Sequence, residues 1–189
     1  MSLTTSRLDF NAVSIFAVDD NNQALGLLEE ILRGFRAGNT TVCASALAAQ
    51  DLLATTRFDL LIIDADMPDE DGITLTQRIR SRPDQPNFTS PVVLASSHTP
   101  LERIRRARDA GVNVFIKKPI VPAVLLDRIS WLARNTRPFV SAPAYCGPDR
   151  RFRKAPPPDG IEDRRAEGIA LAATPDRALS QNDIDALFN

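Results

Sequence analysis

Between about residues 12 and 134 the sequence predicts a doubly wound α/β fold: a five-stranded parallel sheet covered by helices on both faces. Two observations carry this expectation. Short apolar runs alternate with segments of helical period, and the unusual polar residues fall where the runs stop. Val13-Ser14-Ile15-Phe16-Ala17-Val18 is short and β-branched, so it reads as a buried first strand. Leu25, Leu28, Ile31, Leu32 and Phe35 then repeat at helical spacing, and Gly38 reads as the stop signal. Residues 40–44 form the second candidate strand, followed by an alanine-leucine helix to Ala54. Asp59-Leu60-Leu61-Ile62-Ile63 is the third strand, with Leu75 and Ile79 marking the helix behind it. Residues 91–95 are the fourth strand, and the helix over 101–110 is closed by Gly111. Residues 112–116 are the fifth, and Val124, Leu125, Ile129 and Leu132 line the last helix. Strands this apolar belong in a parallel sheet buried on both sides. Right-handed crossovers then put the functional crevice at the carboxyl ends of the strands.

The composition changes after Arg134. Residues 137–178 hold seven of the fourteen prolines and no long apolar period, so they cannot bury enough surface to offset their ordering entropy. The expected plan is therefore an N-terminal extension over 1–11, a folded domain over 12–136, a proline-rich flexible linker over 137–178 and a short amphipathic peptide over 179–189. The linker carries an internal echo, Gly147-Pro148-Asp149-Arg150-Arg151 and Gly160-Ile161-Glu162-Asp163-Arg164-Arg165. Its basic run Arg150-Arg151-Phe152-Arg153-Lys154 reads as solvated linker. A net charge of −1 gives no global reason to bind nucleic acid. No stretch approaches the roughly 20 apolar residues of a membrane span, and no leader pattern opens the chain. His98 is the one histidine, which excludes multi-histidine metal sites. Cys43 and Cys146 lie far apart without metal spacing, so a reducing cytoplasm is the expected setting.

The polar residues at the strand ends carry the chemistry. Asp19 and Asp20 follow the first strand, Asp64 the third, Ser96 and Ser97 the fourth, and Lys118-Pro119 the fifth. In the order 2-1-3-4-5 these ends converge on one crevice. Clustered carboxylates repel unless a cation sits among them, and hard oxygen ligands suit Mg²⁺. A lysine and a hydroxyl opposite suit an anionic group, phosphoryl above all. Each feature also has a plain structural reading. Asp19-Asp20 can cap the first helix, Asp64 can cap a loop, and Lys118-Pro119 can be an ordinary strand-to-helix turn. Arg103, Arg105, Arg106 and Arg108 read as the wet face of the fourth helix, His98 as a solvent-facing loop residue, Trp131 as packing beside the core and Cys43 as core.

Asp64-Ala65-Asp66-Met67-Pro68-Asp69-Glu70-Asp71-Gly72 resembles the D-x-x-M-P-x-x-D-G signature of response-regulator receiver domains, whose fold is the flavodoxin-like, chemotaxis-receiver (βα)5 arrangement. Asp19-Asp20 resembles that family's acidic pair, Ser96 its serine or threonine, and Lys118-Pro119 its Lys-Pro, all in order over residues 12–134. The resemblance implies that Asp64 is the phosphoacceptor. It implies that Asp20, Asp64 and the backbone carbonyl of Asp66 ligate Mg²⁺, with Asp19 acting largely through water. It further implies that Lys118 pairs with the phosphoryl group, across a cis bond to Pro119. Ser96 swings toward the phosphoryl oxygen and Phe115 rotates inward, a two-state element biased by phosphorylation. Asp66 and His98 flank the water path and bear on phosphoryl lifetime. The implied donor is a sensor histidine kinase or phosphotransfer protein.

The last ten residues before the end regain helical character. In Leu179-Ser180-Gln181-Asn182-Asp183-Ile184-Asp185-Ala186-Leu187-Phe188, Ser180 and Asp183 form a capping box, and Ile184, Leu187 and Phe188 make one apolar stripe. A helix this short is marginal alone and needs a groove. The string resembles the receiver-binding peptide of the flagellar motor switch protein, differing at Asp183 and Phe188. The implied dock is the face of the fourth helix, fifth strand and fifth helix, in cis or on another receiver; a flexible linker of about 40 residues spans on the order of 35 Å. The 55 residues after Arg134 hold no DNA-binding or catalytic output domain, so output is expected through protein contact, a receiver or flagellar switch component, or phosphate relay. Two other readings stay open: an aspartyl-phosphate enzyme of phosphatase type, using Asp66, and a phosphate-independent adaptor.

Overall fold

Four runs of four or five mainly apolar residues can hide both faces only by lying side by side under helices, with the more polar run Asn39–Cys43 left at an edge. The computed structural model, which describes residues 9–135, 137–142, 145–149 and 178–188, shows that arrangement. The strands are β1 (Ser14–Val18), β2 (Asn39–Cys43), β3 (Leu60–Asp64), β4 (Val92–Ser96) and β5 (Val114–Lys117). They pair in parallel in the order β2-β1-β3-β4-β5, with β3 at the centre and β5 at an edge. Between them run α1 (Asn22–Gly34), α2 (Ala46–Thr55), α3 (Gly72–Arg80), α4 (Leu101–Asp109) and α5 (Pro122–Arg134). Alternate strand residues feed two cores. Phe16, Leu61, Ile63 and Leu94 meet α2, α3 and α4, while Ile15, Ala17, Ile62 and Val93 meet α1 and α5. Side-chain oxygens of Asn21, Ser45 and Asp71 cap the first turns of α1, α2 and α3. Among the described residues no helix is long and apolar enough to cross a membrane.

Three details depart from the sequence reading. Gly38 does not stop α1. The chain reverses at Arg36, with φ 63°, and the Ala37 N–H returns to the Leu32 carbonyl, satisfying an end-of-helix acceptor. Gly38 instead lies against the backbone of Asn11. Phe10, assigned to an extension, is buried in the core and packs on Phe35 with centroids 5.9 Å apart.

The third departure lies within the stretch read as linker. β6 (Phe139–Ala142) and β7 (Tyr145–Pro148) pair as an antiparallel hairpin. It seats at the amino-terminal edge of the sheet, where Phe139 packs on Phe88 (4.9 Å) and lies under the Arg80 guanidinium (5.4 Å). Gly111, at φ +88°, leaves room for the Cys146 carbonyl that a side chain would displace. Gly147 and Pro148 lie within β7 itself, and the hairpin is held by so few apolar anchors that no period announces it. Residues 1–8 and 150–177, with the basic run at 150–154 and the echo at 160–165, lie outside the described residues. After them comes α6 (Gln181–Phe188), packed along β5.

Candidate functional site

The carboxyl ends of β1, β3, β4 and β5 meet at one rim because parallel pairing sends every strand the same way. Asp19 is buried there. Its Oδ1 accepts the Asn21 N–H at 3.0 Å, and its Oδ2 accepts a hydrogen bond from Lys118 Nζ at 2.6 Å. Asp64, the last residue of β3, is buried and ion-paired to the same ammonium at 2.7 Å. Asp20 sits exposed at the mouth, and each of the three acids has an oxygen within 4.8 Å of the others. The Lys118–Pro119 bond is cis. The structure thus brings together Asp19, Asp20, Asp64 and Lys118 from positions a hundred residues apart.

The electrostatics follow from burial. Burial pushes the Asp64 carboxyl above the ordinary carboxylate range, although Lys118 pulls the other way. Burial alone would lower the Lys118 ammonium, but hydrogen bonds and charges from Asp19 and Asp64 overcome it and hold its pKa above normal. One ammonium faces three carboxylates, so negative charge is in excess. Asp64 Oδ1 is buried and already takes the Lys118 ammonium at 2.7 Å. A set of three hard carboxylates that one ammonium cannot neutralise is what a small divalent cation such as Mg²⁺ relieves, so the residues present fit that ion.

Ser96 ends β4 fully buried. Its Oγ lies 2.8 Å from Asp66 Oδ2 and 2.9 Å from the His98 carbonyl, and accepts the His98 N–H at 3.0 Å. Arg103, read as part of a wet face, instead folds back: its Nη2 reaches Asp66 Oδ1 at 2.6 Å and donates to the Ala65 carbonyl at 2.8 Å. The Asp66 side chain therefore sits between the hydroxyl of Ser96 and a guanidinium. Nothing in the sequence around Arg103 marks it, because the pair closes across two βα units. His98 points to solvent, 77% exposed, with Nδ1 at 3.9 Å from Asp66.

The Asp71-Gly72 pair has a backbone explanation. Burial works against ionisation of Asp71, yet hydrogen bonds from Thr74 and the Ile73 N–H outweigh it and hold the carboxyl below its usual range. A Cβ at Gly72 would overlap the Asp64 carbonyl. Gly72→Ala is therefore expected to destabilise the domain by about 1–3 kcal/mol, seen as an earlier urea midpoint, because the end of β3 has to shift. A midpoint matching the wild type would show that the contact is not tight.

At the opposite edge the tail occupies a groove between α4, β5 and α5. The capping box is formed: Ser180 Oγ donates to Asp183 Oδ2 at 2.6 Å, and the Asp183 N–H reaches Ser180 Oγ at 3.3 Å. Ile184 and Phe188 are buried in the cluster that holds Phe115, Ile104 and Ala107, and Leu179 and Leu187 are partly buried against it. Phe115 is fully buried. Gln181, Thr99, Arg128 and Arg137 also hold the tail and were not singled out in the sequence; Asp185 pairs with Arg128, and Arg137 donates to the Phe188 carbonyl.

Known proteins are similar to this chain over the folded domain. The family model of the response regulator receiver domain matches residues 15–130. The sensory/regulatory protein RpfC of Xanthomonas campestris is 30% identical over 132 residues, which are 69% of this chain but only 18% of that protein. Chemotaxis protein CheY-3 of Vibrio cholerae is 31% identical over 117 residues, covering 62% of this chain and 88% of it. The solved receiver domain of a signal transduction histidine kinase from Syntrophus aciditrophicus aligns with a TM-score of 0.58 at 28% identity, covering 71% of this chain and all of that one. With a family model spanning most of the sheet and its rim, the chain belongs to the response regulator receiver domains of two-component signalling.

Proposed function

We propose that Asp64 accepts a phosphoryl group from a phosphohistidine donor, a histidine kinase or phosphotransfer protein, and that the modified domain is read by protein contact. The observation that carries this is the burial of Asp64 at the sheet rim, 2.7 Å from Lys118 Nζ and beside two further carboxylates. An Asp64 carboxylate oxygen forms a bond to phosphorus as the bond from phosphorus to the donor imidazole breaks. The electron pair stays on that imidazole nitrogen, which then takes up a proton. Asp19, Asp20, Asp64 and the Asp66 carbonyl would hold Mg²⁺, with Asp19 partly through water. The ion, when bound, supplies positive charge to the phosphoryl oxygens. Lys118 follows the growing charge from a position it already holds. Ser96 leaves Asp66 to donate its hydroxyl to a phosphoryl oxygen, and Phe115 is the buried partner of that switch. Asp66, engaged by Ser96 and Arg103, is poorly placed to act as the general acid that a phosphatase needs.

A groove beside the site supports a seat for the donor. It measures about 370 Å³ and runs between α1 and the turn after β5 beside Lys118, lined by Leu27, Leu28 and Ile120. On the output side, the tail's likeness to the flagellar switch peptide supports a readout by helical peptides, in chemotaxis or motor control, within the cytoplasm. The test is incubation with Mg²⁺ and acetyl phosphate followed by intact mass. The wild type is expected to gain one phosphoryl group and Asp64→Asn none. Equal labelling of both, or labelling of neither, sinks the proposal.

A further inference from the structure

The tail grips β5 and the turn that follows β4, two of the segments that meet at the phosphoacceptor rim. The Leu179 N–H donates to the Thr99 carbonyl at 3.0 Å, and Thr99 Oγ1 donates to the Leu179 carbonyl at 2.9 Å. Thr99 closes the turn in which Ser96 Oγ takes the His98 N–H. Two residues on, the Gln181 carboxamide lies along β5: Nε2 donates to the Phe115 carbonyl at 3.0 Å, and Oε1 accepts the Lys117 N–H at 2.8 Å. β5 is an edge strand, and these are the groups that a sixth strand would bind. The carboxamide thus stands in for a strand residue opposite Ile116, satisfying a carbonyl and an N–H that would otherwise need water. Lys117 is bonded directly to Lys118, whose ammonium lies on Asp64.

We propose that the β5 edge is a binding site for the chain's own residues 178–188, that Gln181 is its specificity-determining residue, and that tail docking and phosphoryl acceptance strengthen each other. The linkage rests on Asp64 being the phosphoacceptor. Its direction comes from ordering. The hydroxyl and ammonium that meet the phosphoryl group, on Ser96 and Lys118, ride on two short segments. The docked tail immobilises both before the anion arrives, so less entropy remains to be lost on binding it. Linkage makes the effect reciprocal: whatever factor docking adds to anion affinity, the anion adds to docking. The apolar stripe supplies most of the hold, since an eight-residue helix is unstable alone, and the tether raises its effective concentration. Any other helix read by this face must displace it and meet the same edge with a side-chain amide followed by apolar residues three and seven positions later.

The experiment uses the full chain with Mg²⁺ and beryllium fluoride as the phosphoryl stand-in. Amide exchange at Lys117 and Leu179 reports docking, and titration calorimetry reports anion affinity. Beryllium fluoride is expected to slow exchange at both amides by about fivefold. Gln181→Met, nearly isosteric but without either hydrogen bond, and Ile184→Asp, which ejects the stripe, are each expected to weaken beryllium fluoride binding, by up to the same factor. Wild-type affinity in both variants, or exchange at Lys117 that is unchanged or faster with the anion bound, overturns the linkage. Lys117 exchange in Gln181→Met equal to the wild type overturns the role of Gln181. No beryllium fluoride binding by the wild type would overturn the phosphoacceptor proposal beneath it instead.

Discussion

Lys118→Ala is expected to slow phosphoryl acceptance by about 10²–10³-fold, the usual cost of removing one preorganised charge from a reacting oxyanion. Lys118 is not a tethered surface charge. Its ammonium is fixed at 2.6 Å from Asp19 and 2.7 Å from Asp64, with its side chain 17% exposed, so little reorganisation is needed when charge builds on phosphorus. Its loss acts twice. It removes the cation that faces the phosphoryl oxygens, and it leaves two buried carboxylates without their counter-charge, so the Asp64 carboxyl rises further above its usual range. Initial rates with acetyl phosphate, read by intact mass, measure the effect, and circular dichroism separates it from loss of fold. A rate within twofold of wild type in a folded variant would mean that Lys118 is a structural counter-ion only.

The second large effect concerns stability and lies at the other end of the sheet. Arg80 is 3% exposed and faces no carboxylate in its hydrogen-bonded shell. Its guanidinium donates to the carbonyls of Gly111 (3.2 Å), Phe88 (2.6 Å) and Ser90 (2.8 Å) and to Asn113 Oδ1 (3.2 Å). Those acceptors belong to the α3–β4 and α4–β5 loops, so one side chain closes the amino-terminal pole and supports the hairpin through Phe139. Burial lowers its pKa to about 10, which leaves it charged at neutral pH. Arg80→Ala is expected to cost about 3–5 kcal/mol, since several buried carbonyls lose their donor together and a cavity opens under the ring. Urea denaturation followed by far-ultraviolet circular dichroism measures it. The folded fraction should still accept phosphoryl, because the acids sit at the opposite strand ends. A loss under 1 kcal/mol would show that water replaces the guanidinium.

What the sequence made legible is what depends on period and on strand ends. The apolar runs predicted all five strands within a few residues, and the expected order 2-1-3-4-5, which sets the ends of strands one, three, four and five side by side, is the order observed. Asp71-Gly72 was visible as a motif, whereas its physical reason, the close approach of Gly72 to the Asp64 carbonyl, needed the backbone. Arg103 was misread because helical period shows which face is wet but not which long side chain folds back over a strand end. The hairpin at 139–148 hid because proline and glycine signal turns in folded and unfolded chains alike. The apolar stripe of the tail was readable at Ile184, Leu187 and Phe188. Gln181 was not, since a glutamine that completes a sheet edge looks like any polar helix residue.

Borohydride reduction of the phosphorylated chain, followed by peptide sequencing in a mass spectrometer, tests the central claim most directly. Hydride converts an aspartyl phosphate to homoserine and so marks the acceptor itself. Homoserine at position 64 alone, appearing only when Mg²⁺ and the phosphodonor are both present, is the predicted result. Homoserine at Asp19, Asp20 or Asp66, or an intact aspartate at 64 in protein that has gained phosphate, would contradict it.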